Sequence, residues 1–350
     1  MLEKIGLDAD VSRAAARWAA GDAVLGRVVC VHRGLVSVLA ESGPRRVTFG
    51  GGLLTRVAKD PTEAPCTGDW CMVREWPDGR DTVERLLPRR TAVLRAAAGR
   101  QSHGQVLCAN VDIAALVVAL HPLPVLSKVE RLVALAWESG ARPLVVLTKA
   151  DLVSDADQVA EDVAAAAPDV DVVTVSASTG NGVEALRSRL EGRLTLGLLG
   201  ASGHGKSSLL NALAGAELLA TRPIREDGRG RHTSVRRELV PLPGGGAVID
   251  TPGLRGVGLL AAADGLSLTF RDVNALAARC RFGDCAHEGE PGCRVATAIA
   301  DGDLSLRRFE SWRHLQRELT WAATRVEDRV RIERAKAGKR QARRTGPSGG

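Results

Sequence analysis

Aromatic residues are scarce in this chain. They make up 3% of its 350 residues, and tyrosine is absent altogether. A core therefore has to be built mainly from leucine, valine and alanine, within the 45% of residues that are hydrophobic. That share is high enough to exclude a largely disordered protein, and at this length we expect two or three domains.

Long apolar runs are also missing. No stretch approaches the ~18 consecutive apolar residues of a membrane-spanning helix, so we expect no contact with a membrane. Residues 1–10 contain acidic side chains and no apolar run before a cleavage site, which excludes a signal peptide. The sequence therefore predicts a cytoplasmic protein.

Cysteine is sparse and unevenly distributed. Of the seven cysteines, four are scattered, and three stand close together at positions 280, 285 and 293. In a reducing compartment this odd number favours a metal site plus free thiols over a disulfide framework. The net charge of +7 favours an acidic partner such as nucleic acid.

The pattern of apolar residues predicts a multidomain protein. Residues 21–92 contain short strand-like segments typical of a small β-barrel; an RNA-binding, OB-like barrel and a protein-docking barrel both fit. Residues 100–259 alternate apolar strands with helices, which predicts a parallel α/β sheet covered on both faces. Residues 260–335 are mainly helical and carry the clustered cysteines, and the basic tail at 336–350 is expected to be disordered. Residues 1–20 form an N-terminal extension whose role the sequence does not reveal.

A glycine-rich loop provides the clearest chemical signal. Residues 200–207 match the phosphate-binding pattern G-x-x-x-x-G-K-[ST] between a predicted strand and a predicted helix. Backbone N–H groups and the helix N-terminus would hold the phosphates of a nucleotide. Lys206 would reach the β- and γ-phosphates, and the Ser207 hydroxyl would bind Mg²⁺. The residues assigned to this loop are Gly200, Ala201, Ser202, Gly203, His204, Gly205, Lys206, Ser207 and Ser208.

Three shorter motifs complete a guanine-nucleotide site. Residues 250–253 fit D-x-x-G, in which the carboxylate would hold the Mg²⁺ shell and the glycine N–H would sense the γ-phosphate. Residues 148–151 fit [NT]-K-x-D, whose carboxylate accepts two hydrogen bonds from guanine, a donor pair that adenine lacks. Residues 176–177 end the next strand, where a backbone N–H can meet guanine O6. The ligand predicted is GTP or GDP with Mg²⁺, and the residues assigned are Thr148, Lys149, Ala150, Asp151, Ser176, Ala177, Asp250 and Gly253.

The order of these motifs is unusual. In ordinary small GTPases the phosphate loop precedes the guanine motifs, whereas here the guanine motifs come first. The same sheet forms if the chain enters it at a different strand, so the sequence predicts a circularly permuted topology. The segment after Asp250 then leads directly into the C-terminal domain, where the nucleotide state can be relayed.

With these motifs in this order, the whole chain resembles the circularly permuted GTPases of the ribosome small-subunit-dependent GTPase A family (RsgA, also YjeQ or YloQ). The resemblance implies an OB barrel, a permuted GTPase and a C-terminal zinc domain. It also implies a role in late maturation of the small ribosomal subunit, with hydrolysis stimulated by that particle. The expected partners are the small subunit and its rRNA, not DNA or a membrane, and we expect a monomer.

The resemblance also indicates catalytic candidates. Residues 228–234 look like the switch I segment of the family, G-R-H-T-T, with serine at 234, so Thr233 is the expected Mg²⁺-sensing hydroxyl. Leu254 stands where many GTPases carry a catalytic glutamine, so intrinsic hydrolysis should be slow. We hypothesise that His232 positions the attacking water; contact with RNA or support of the loop is the alternative. Lys206 completes the catalytic set.

Four metal-binding side chains fall within fourteen residues of the C-terminal region. The four are Cys280, Cys285, His287 and Cys293. Four protein ligands leave no position for a substrate water, which predicts structural zinc, and the family places its zinc on the same pattern. Cys66 and Cys71 have the spacing of half such a site, but no nearby His or Cys pair completes it, so we interpret them as ordinary cysteines.

Basic residues are concentrated beyond Arg325, where a helix leading into a basic arm suits binding to ribosomal RNA. A merely solvated tail is the alternative. Further candidates for RNA contact are Arg45-Arg46 and Lys59 in the barrel and Arg89-Arg90 in the loop after it. Two other functions fit the nucleotide motifs: a slow GTP-dependent RNA-binding module without significant turnover, and a permuted GTPase that acts on the large subunit.

Overall fold

The computed structural model describes residues 1–18, 23–95, 104–190, 193–218, 237–251 and 262–324. Within these ranges the strands form one eleven-stranded sheet and one two-stranded hairpin. The strands are β1 (Ala23–His32), β2 (Leu35–Ala40), β3 (Gly43–Phe49), β4 (Trp70–Arg74), β5 (Thr82–Leu86), β6 (Ala92–Arg95), β7 (Gln105–Ala109), β8 (Ile113–Ala119), β9 (Arg142–Thr148), β10 (Asp171–Thr174), β11 (Thr195–Leu199), β12 (Glu238–Pro241) and β13 (Ala247–Asp250).

The α-helices of the described ranges are α1 (Ala9–Ala16), α2 (Gly51–Lys59), α3 (Leu126–Glu138), α4 (Ala156–Ala166), α5 (Val183–Ser188), α6 (Lys206–Ala214), α7 (Ala263–Thr269), α8 (Arg271–Ala277), α9 (Arg294–Asp301) and α10 (306–324). A search of the same ranges finds no helix of the length and apolarity that a membrane span requires.

The first five strands close into a barrel. Neighbouring strands follow the order β1-β2-β3-β5-β4, and β4 returns to pair with β1. Alternate residues of each strand point into the barrel: along β2, Val36, Val38 and Ala40 are buried and the residues between them are partly exposed. The structure thus confirms the OB-like barrel that the short strands predict.

Helix α2 lies between β3 and β4 in the chain, where the sequence has three consecutive glycines. Gly50 is the N-cap in an extended conformation, and Gly51 begins the helix. Leu53 is fully buried in the barrel core, and Val57, one turn later, packs against the same cluster. Burial of this face outweighs the low helix propensity of glycine, which is why the local sequence does not indicate the helix.

Five parallel strands form the other half of the large sheet, in the order β10-β9-β8-β11-β13. One face of this half packs Leu116 and Leu147 against α3 and α4. The opposite face packs Leu198 against α5 and α6. Because both faces are covered, the central strands β8, β11 and β13 are buried along their whole length. The predicted α/β domain is confirmed.

Strand β12 joins the barrel to the parallel strands. It runs antiparallel to β13 on one side and to β1 on the other, where Glu238 lies opposite Cys30. At the same junction the Thr67 hydroxyl donates a hydrogen bond of 3.1 Å to the carbonyl oxygen of Arg237. The two halves therefore belong to one continuous sheet.

Residues 1–18 pack between the barrel and the parallel strands. Ile5 is 1% exposed within the main core. The N–H of Gly246 donates to the carbonyl oxygen of Lys4 at 2.8 Å. The buried guanidinium of Arg27, on β1, donates to the carbonyl oxygens of Ile5 and Asn110. The N-terminal segment thus links the two halves through backbone hydrogen bonds.

The C-terminal helices pack against α3. Phe270 and Phe309 are buried in a core cluster that includes Ala134 on α3. Gly265, on α7, lies so close to α3 that a Cβ there would be 2.1 Å from the Ala134 carbonyl oxygen. The Glu138 carboxylate accepts a hydrogen bond from the Gly265 N–H at 2.9 Å. This confirms the mainly helical C-terminal domain and places it on the α/β domain.

Candidate nucleotide site and metal centre

The phosphate loop leaves β11 at the carboxyl end of the parallel strands. Gly200, Gly203 and Gly205 have φ angles of 159°, 85° and 84°, which other residues adopt only with strain. A Cβ at Gly200 would also lie 2.3 Å from the carbonyl oxygen of Val117. Gly205 is the N-cap of α6, so the first N–H groups of this helix are free of intrahelical acceptors and available to an anion.

Lys206 is buried within the loop that it serves. Its side chain is 7% exposed, and its ammonium donates to the carbonyl oxygens of Gly200 and Ala201 at 3.0 and 2.9 Å. Burial lowers the pKa of Lys206, and the nearby Asp250 carboxylate opposes that shift. The cation is thus held at the loop by acceptors that phosphate oxygens can replace.

A hydrogen bond connects the phosphate loop to the predicted guanine motif. The Thr148 hydroxyl, at the end of β9, donates to the carbonyl oxygen of His204 at 2.7 Å. The His204 Nδ1 lies 3.1 Å from the Val117 carbonyl oxygen, and burial lowers the pKa of this imidazole. A neutral ring with its N–H toward Val117 fits this geometry. These two hydrogen bonds hold His204, in the middle of the phosphate loop, against β8 and β9.

Asp151 follows β9 in a short 3₁₀ turn, and its carboxylate is exposed to the cleft. The Ser176 hydroxyl donates to it at 2.6 Å and is itself 2.9 Å from the Ser178 hydroxyl. The bond from Ser176 lowers the pKa of Asp151, so the carboxylate is ionised at neutral pH. It is therefore oriented and charged to accept hydrogen bonds from a guanine edge.

The two motifs open into one cleft of about 530 Å³. Its walls are formed by residues 148–152, which we call the guanine turn, by the loop after β10, by the first two turns of α6 and by the residues that follow α6. The lining residues are Thr148, Lys149, Asp151, Leu152, Ala177, Ser178, Gly205, Ser208, Asn211, Ala212, Ala216 and Glu217. The structure thus brings the predicted base-binding and phosphate-binding residues together around one space.

Asp250 is the last residue of β13, and its carboxylate is 2% exposed. The next hydroxyl, Thr251 Oγ1, donates to the Leu198 carbonyl oxygen at 2.6 Å and holds this chain end beside β11. Ser207 is the second residue of the adjacent helix α6, directly after Lys206. A hydroxyl and a carboxylate are the oxygen ligands that Mg²⁺ prefers, so this pair fits the predicted ion.

Several predicted site residues lie outside the described residues. These are His232 and Thr233, with the switch I segment 228–234, and Gly253 with Leu254 in the segment after Thr251. The basic tail beyond residue 324 lies outside as well. Their assigned roles stay predictions.

The metal-binding side chains predicted from the sequence lie together. The ligand atoms of Cys280, Cys285, His287 and Cys293 are all within 4.8 Å of one another. His287 Nδ1 is 3.6 Å from Cys280 Sγ and 3.5 Å from Cys293 Sγ. Four soft or borderline ligands at these separations fit a tetrahedral zinc ion, whose bonds to sulfur are about 2.3 Å long. Cys66 and Cys71 are buried and not part of this cluster, as expected.

The loop that carries the cluster is fixed from two sides. The Glu290 carboxylate accepts hydrogen bonds from the N–H groups of Ala286 and Glu288 at 2.6 and 2.7 Å. The His287 ring lies 6.1 Å from the Phe309 ring and 5.9 Å from the Trp312 ring, both on α10. These contacts hold the cluster against the last described helix.

Comparison with known proteins decides the family. A family model described as RsgA GTPase matches residues 86–260. The small ribosomal subunit biogenesis GTPase RsgA of Streptomyces coelicolor is 47% identical over 345 residues, which cover 97% of this chain and 92% of that protein. The chain belongs to the RsgA GTPase family. It is accordingly a GTP-hydrolysing enzyme, for which guanine nucleotide and Mg²⁺ are the expected ligands.

Two solved structures share the fold. The crystal structure of YjeQ from Thermotoga maritima matches with a TM-score of 0.62 at 26% identity and covers 85% of this chain and 99% of that chain. YloQ, described as a circularly permuted GTPase, matches with a TM-score of 0.57 at 23% identity and covers 88% and 96%. These matches confirm the predicted permuted fold.

The strand order explains how an RsgA-family chain assembles one site from motifs in an unusual sequence order. The guanine turn follows β9, the second guanine loop follows β10, the phosphate loop follows β11 and Asp250 ends β13. All four strands are parallel, so their carboxyl ends meet at one edge of the sheet. The site depends on where each strand lies in the sheet and not on the order in which the chain visits it.

The nucleotide cleft also contains residues that none of the sequence motifs indicates. Asn211 and Ala212 stand three and four positions after Ser208, so the three residues share one face of α6. All three line the cleft. Helical spacing from the phosphate loop would have identified this face. Glu217, beyond the end of α6, has no such sequence signal.

Two of the proposed RNA-binding arginines have partners within the protein. Arg89 donates to both carboxylate oxygens of the buried Asp69 at 2.7 and 2.8 Å. Arg45 pairs with Glu75 and Asp81, both at 2.7 Å. Their guanidinium groups stabilise the barrel and its connection to the hairpin β6-β7, and the contact of these arginines with RNA stays a prediction.

Proposed function

We propose that this chain is a GTPase that binds the small ribosomal subunit and couples GTP hydrolysis to its late maturation, with hydrolysis stimulated by the particle. The single observation that carries the proposal is the convergence of the phosphate and guanine motifs on one cleft. A chain of this fold, 47% identical to a protein named small ribosomal subunit biogenesis GTPase RsgA, is expected to share its partner.

In this proposal each residue of the cleft has a distinct task. Asp151 accepts hydrogen bonds from guanine, and Ser176 keeps its carboxylate oriented. Lys206 exchanges its loop carbonyls for the β- and γ-phosphate oxygens and so stabilises the charge that develops on the transferred group. Ser207 and Asp250 would hold Mg²⁺, which neutralises phosphate charge when bound.

Two further roles rest on the resemblance to the family. Thr233 would sense the Mg²⁺ and γ-phosphate, and His232 would position the attacking water, since Leu254 has no group able to do so. A His232→Ala variant is expected to bind the subunit and to lose stimulated turnover. Full stimulated turnover in this variant would contradict the role of His232.

The cluster of three cysteines and His287 would hold one structural zinc ion. Four protein ligands leave no open position for substrate, so the ion would stabilise the C-terminal domain and take no part in hydrolysis. Its donor set and spacing support the proposal.

A groove beside the zinc cluster supports contact with rRNA. It has a volume of about 570 Å³ and lies between residues 285–287 and α10. Trp321, 61% exposed, lines it together with Arg317 and with Arg313, which pairs with the exposed Glu288 at 3.7 Å. No acidic residue is among the described residues that line the groove. Unpaired bases stack on exposed aromatic rings while arginines bind the adjacent phosphates.

We further propose that the protein acts as a monomer in the cytoplasm and has no role on DNA.

The decisive experiment is GTP and ATP turnover by the purified protein, alone, with isolated small subunits and with isolated large subunits. We expect GTP-selective stimulation by the small subunit alone.

The groove is tested with the double variant Arg317→Ala/Trp321→Ala, which should lose more of this stimulation than the control variant Arg142→Ala. Arg142 is an exposed arginine far from the groove in sequence. Equal rates with and without subunits would leave a slow nucleotide-dependent binding module as the better account. Stimulation by the large subunit alone would replace the proposed partner.

A further inference from the structure

One wall of the nucleotide cleft has no role in the assignments above. It is formed by the end of α6 and the residues after it, and it includes Asn211 and Glu217. In the proposed site, guanine binds at the end of the cleft where Asp151 lies. The phosphates bind at the end where Gly205 and Ser208 lie. The ribose of a nucleotide joins base to phosphates, so a third wall of the same cleft is available to it.

The backbone around Glu217 is fixed by the turn that ends α6. Gly215 adopts the left-handed conformation, with a φ of 67°. The Ala216 N–H donates to the Asn211 carbonyl oxygen at 3.3 Å. The Leu218 N–H donates to the Asn211 side-chain oxygen at 3.1 Å. Hydrogen bonds on both sides of Glu217 therefore hold this residue at the cleft.

Glu217 and Asp151 are the two acidic residues among those that line the cleft. Asp151 is oriented by Ser176, whereas the Glu217 carboxylate has no hydrogen-bond or ion-pair partner within the part of the chain that the structure describes. An ionised carboxylate accepts hydrogen bonds and donates none. Phosphate oxygens offer it no donor, and the guanine donors go to Asp151. The ribose hydroxyls are the donors that remain.

We propose that Glu217 accepts a hydrogen bond from a ribose hydroxyl of the bound guanine nucleotide and so distinguishes it from an analogue that lacks both ribose hydroxyls. The inference rests on the proposed function, because it takes this cleft to be the GTP site. Acidic side chains recognise ribose hydroxyls in the same way in dinucleotide-binding folds.

The test compares GDP with 2′,3′-dideoxy-GDP, using calorimetric affinities in Mg²⁺ buffer for the full chain. The unmodified protein should bind GDP about tenfold or more tightly than the dideoxy analogue, the effect of one hydrogen bond to a charged group. Glu217→Ala should bind both nucleotides with the affinity that the unmodified protein has for the analogue. Glu217→Gln keeps one acceptor and should show intermediate discrimination. Glu161→Ala, an exposed acidic residue of α4 away from the cleft, should keep the full difference.

Two results would overturn the inference. One is equal affinity of the unmodified protein for GDP and the dideoxy analogue. The other is a Glu217→Ala variant in which both affinities fall by the same factor, so that discrimination persists. A protein that binds neither nucleotide would overturn the proposed GTP site as well, which separates the failure of the two proposals.

Discussion

At the scale of single residues, the nucleotide site depends on polar groups that neighbouring groups of the protein hold in position. The Asp151 carboxylate is held by Ser176 at 2.6 Å, and the Lys206 ammonium is held by two loop carbonyls. Groups already in place lose little conformational entropy when they bind. The site is therefore expected to recognise guanine and phosphate through geometry that these hydrogen bonds maintain.

The clearest residue-scale prediction concerns base specificity. In Asp151→Asn the two acceptor oxygens become one acceptor and one N–H₂ donor, which faces the guanine donors. The affinity for GTP should fall by about 3 kcal/mol, roughly 100-fold, because one hydrogen bond is lost and the other is no longer made to a charged group. The new donor should favour xanthosine triphosphate, which carries a carbonyl oxygen where guanine has its amino group.

Competition binding with GTP and xanthosine triphosphate measures this change. Ser176→Ala serves as the comparison, since it removes the orienting hydroxyl and leaves the acceptors. It should lower GTP affinity by only about 1 kcal/mol, the value of one hydrogen bond, without any preference for xanthine. An Asp151→Asn variant that still prefers GTP would show that another group reads the base.

At the scale of single elements, close packing of α7 against α3 decides the position of the C-terminal domain. Alanine normally stabilises a helix relative to glycine by about 0.5–1 kcal/mol. At Gly265 the added Cβ would lie 2.1 Å from the Ala134 carbonyl oxygen and 2.8 Å from the Glu138 nitrogen. Gly265→Ala should therefore destabilise the protein by about 1–3 kcal/mol, as measured by denaturant unfolding.

Helix α2 provides the matched control for this prediction. At Gly52 an added Cβ meets no atom within 4 Å, so Gly52→Ala should leave stability unchanged or raise it by a few tenths to about 1 kcal/mol. If both variants changed stability by the same amount, helix propensity and not the α3–α7 contact would explain the result.

Zinc binding is the second prediction at this scale. Cys285→Ser removes one of four ligands, so the purified protein should lose its bound zinc and unfold its C-terminal helices at a lower temperature. Structural zinc contributes about 10–16 kcal/mol in small zinc-binding peptides, so the loss should reach several kcal/mol. Metal analysis and thermal unfolding measure the two effects. Cys66→Ala, a buried cysteine outside the cluster, should retain the zinc; equal metal content in both variants would contradict the site.

The same elements show how far the sequence could predict this structure. The phosphate loop, the guanine turn and the zinc ligands are local patterns, because each combines a few adjacent residues whose spacing carries the chemistry. Helix α2 and the packing of residues 1–18 were not predicted, since they depend on a barrel core and on partners such as Arg27 that are distant in the chain. Glu217 was missed for the same reason: it meets the cleft only after α6 has folded.

At the scale of the whole molecule, two connections link the GTPase domain to its neighbours. Strand β12 extends the parallel sheet into the barrel. The second connection is the contact of the C-terminal helices with α3, which includes a buried ion network. The segment after Asp250 leads to α7, so the element that packs on α3 directly follows a nucleotide motif. A relay from nucleotide to the C-terminal domain would use this path.

The centre of that network is Arg308, which is 4% exposed. Its guanidinium donates to Glu130 at 3.1 Å, to Asp272 at 2.5 and 2.9 Å, and to the carbonyl oxygens of Ala166 and Thr269. The pKa of Asp272 is lowered despite its burial, because Arg308 stabilises the ionised form. A single side chain thus joins α3, the end of α4 and the start of α8.

Removing Arg308 should therefore separate the C-terminal domain from the GTPase domain. Arg308→Ala leaves the fully buried Glu130 with Arg307 as its remaining cation. Removing one partner of a buried ion pair costs up to about 3–5 kcal/mol, and the second cation should keep the loss below that limit. We expect unfolding to split into two transitions, with the C-terminal helices unfolding first.

The surface pair of Arg142 and Asp171, 67% and 48% exposed, is the comparison. Arg142→Ala should change stability little because solvent screens that pair. Adding Glu130→Leu to Arg308→Ala should restore part of the lost stability, since it removes a buried charge that Arg307 alone then compensates. If the double variant were no more stable than Arg308→Ala, the loss would come from packing around Phe270 and not from the buried charge.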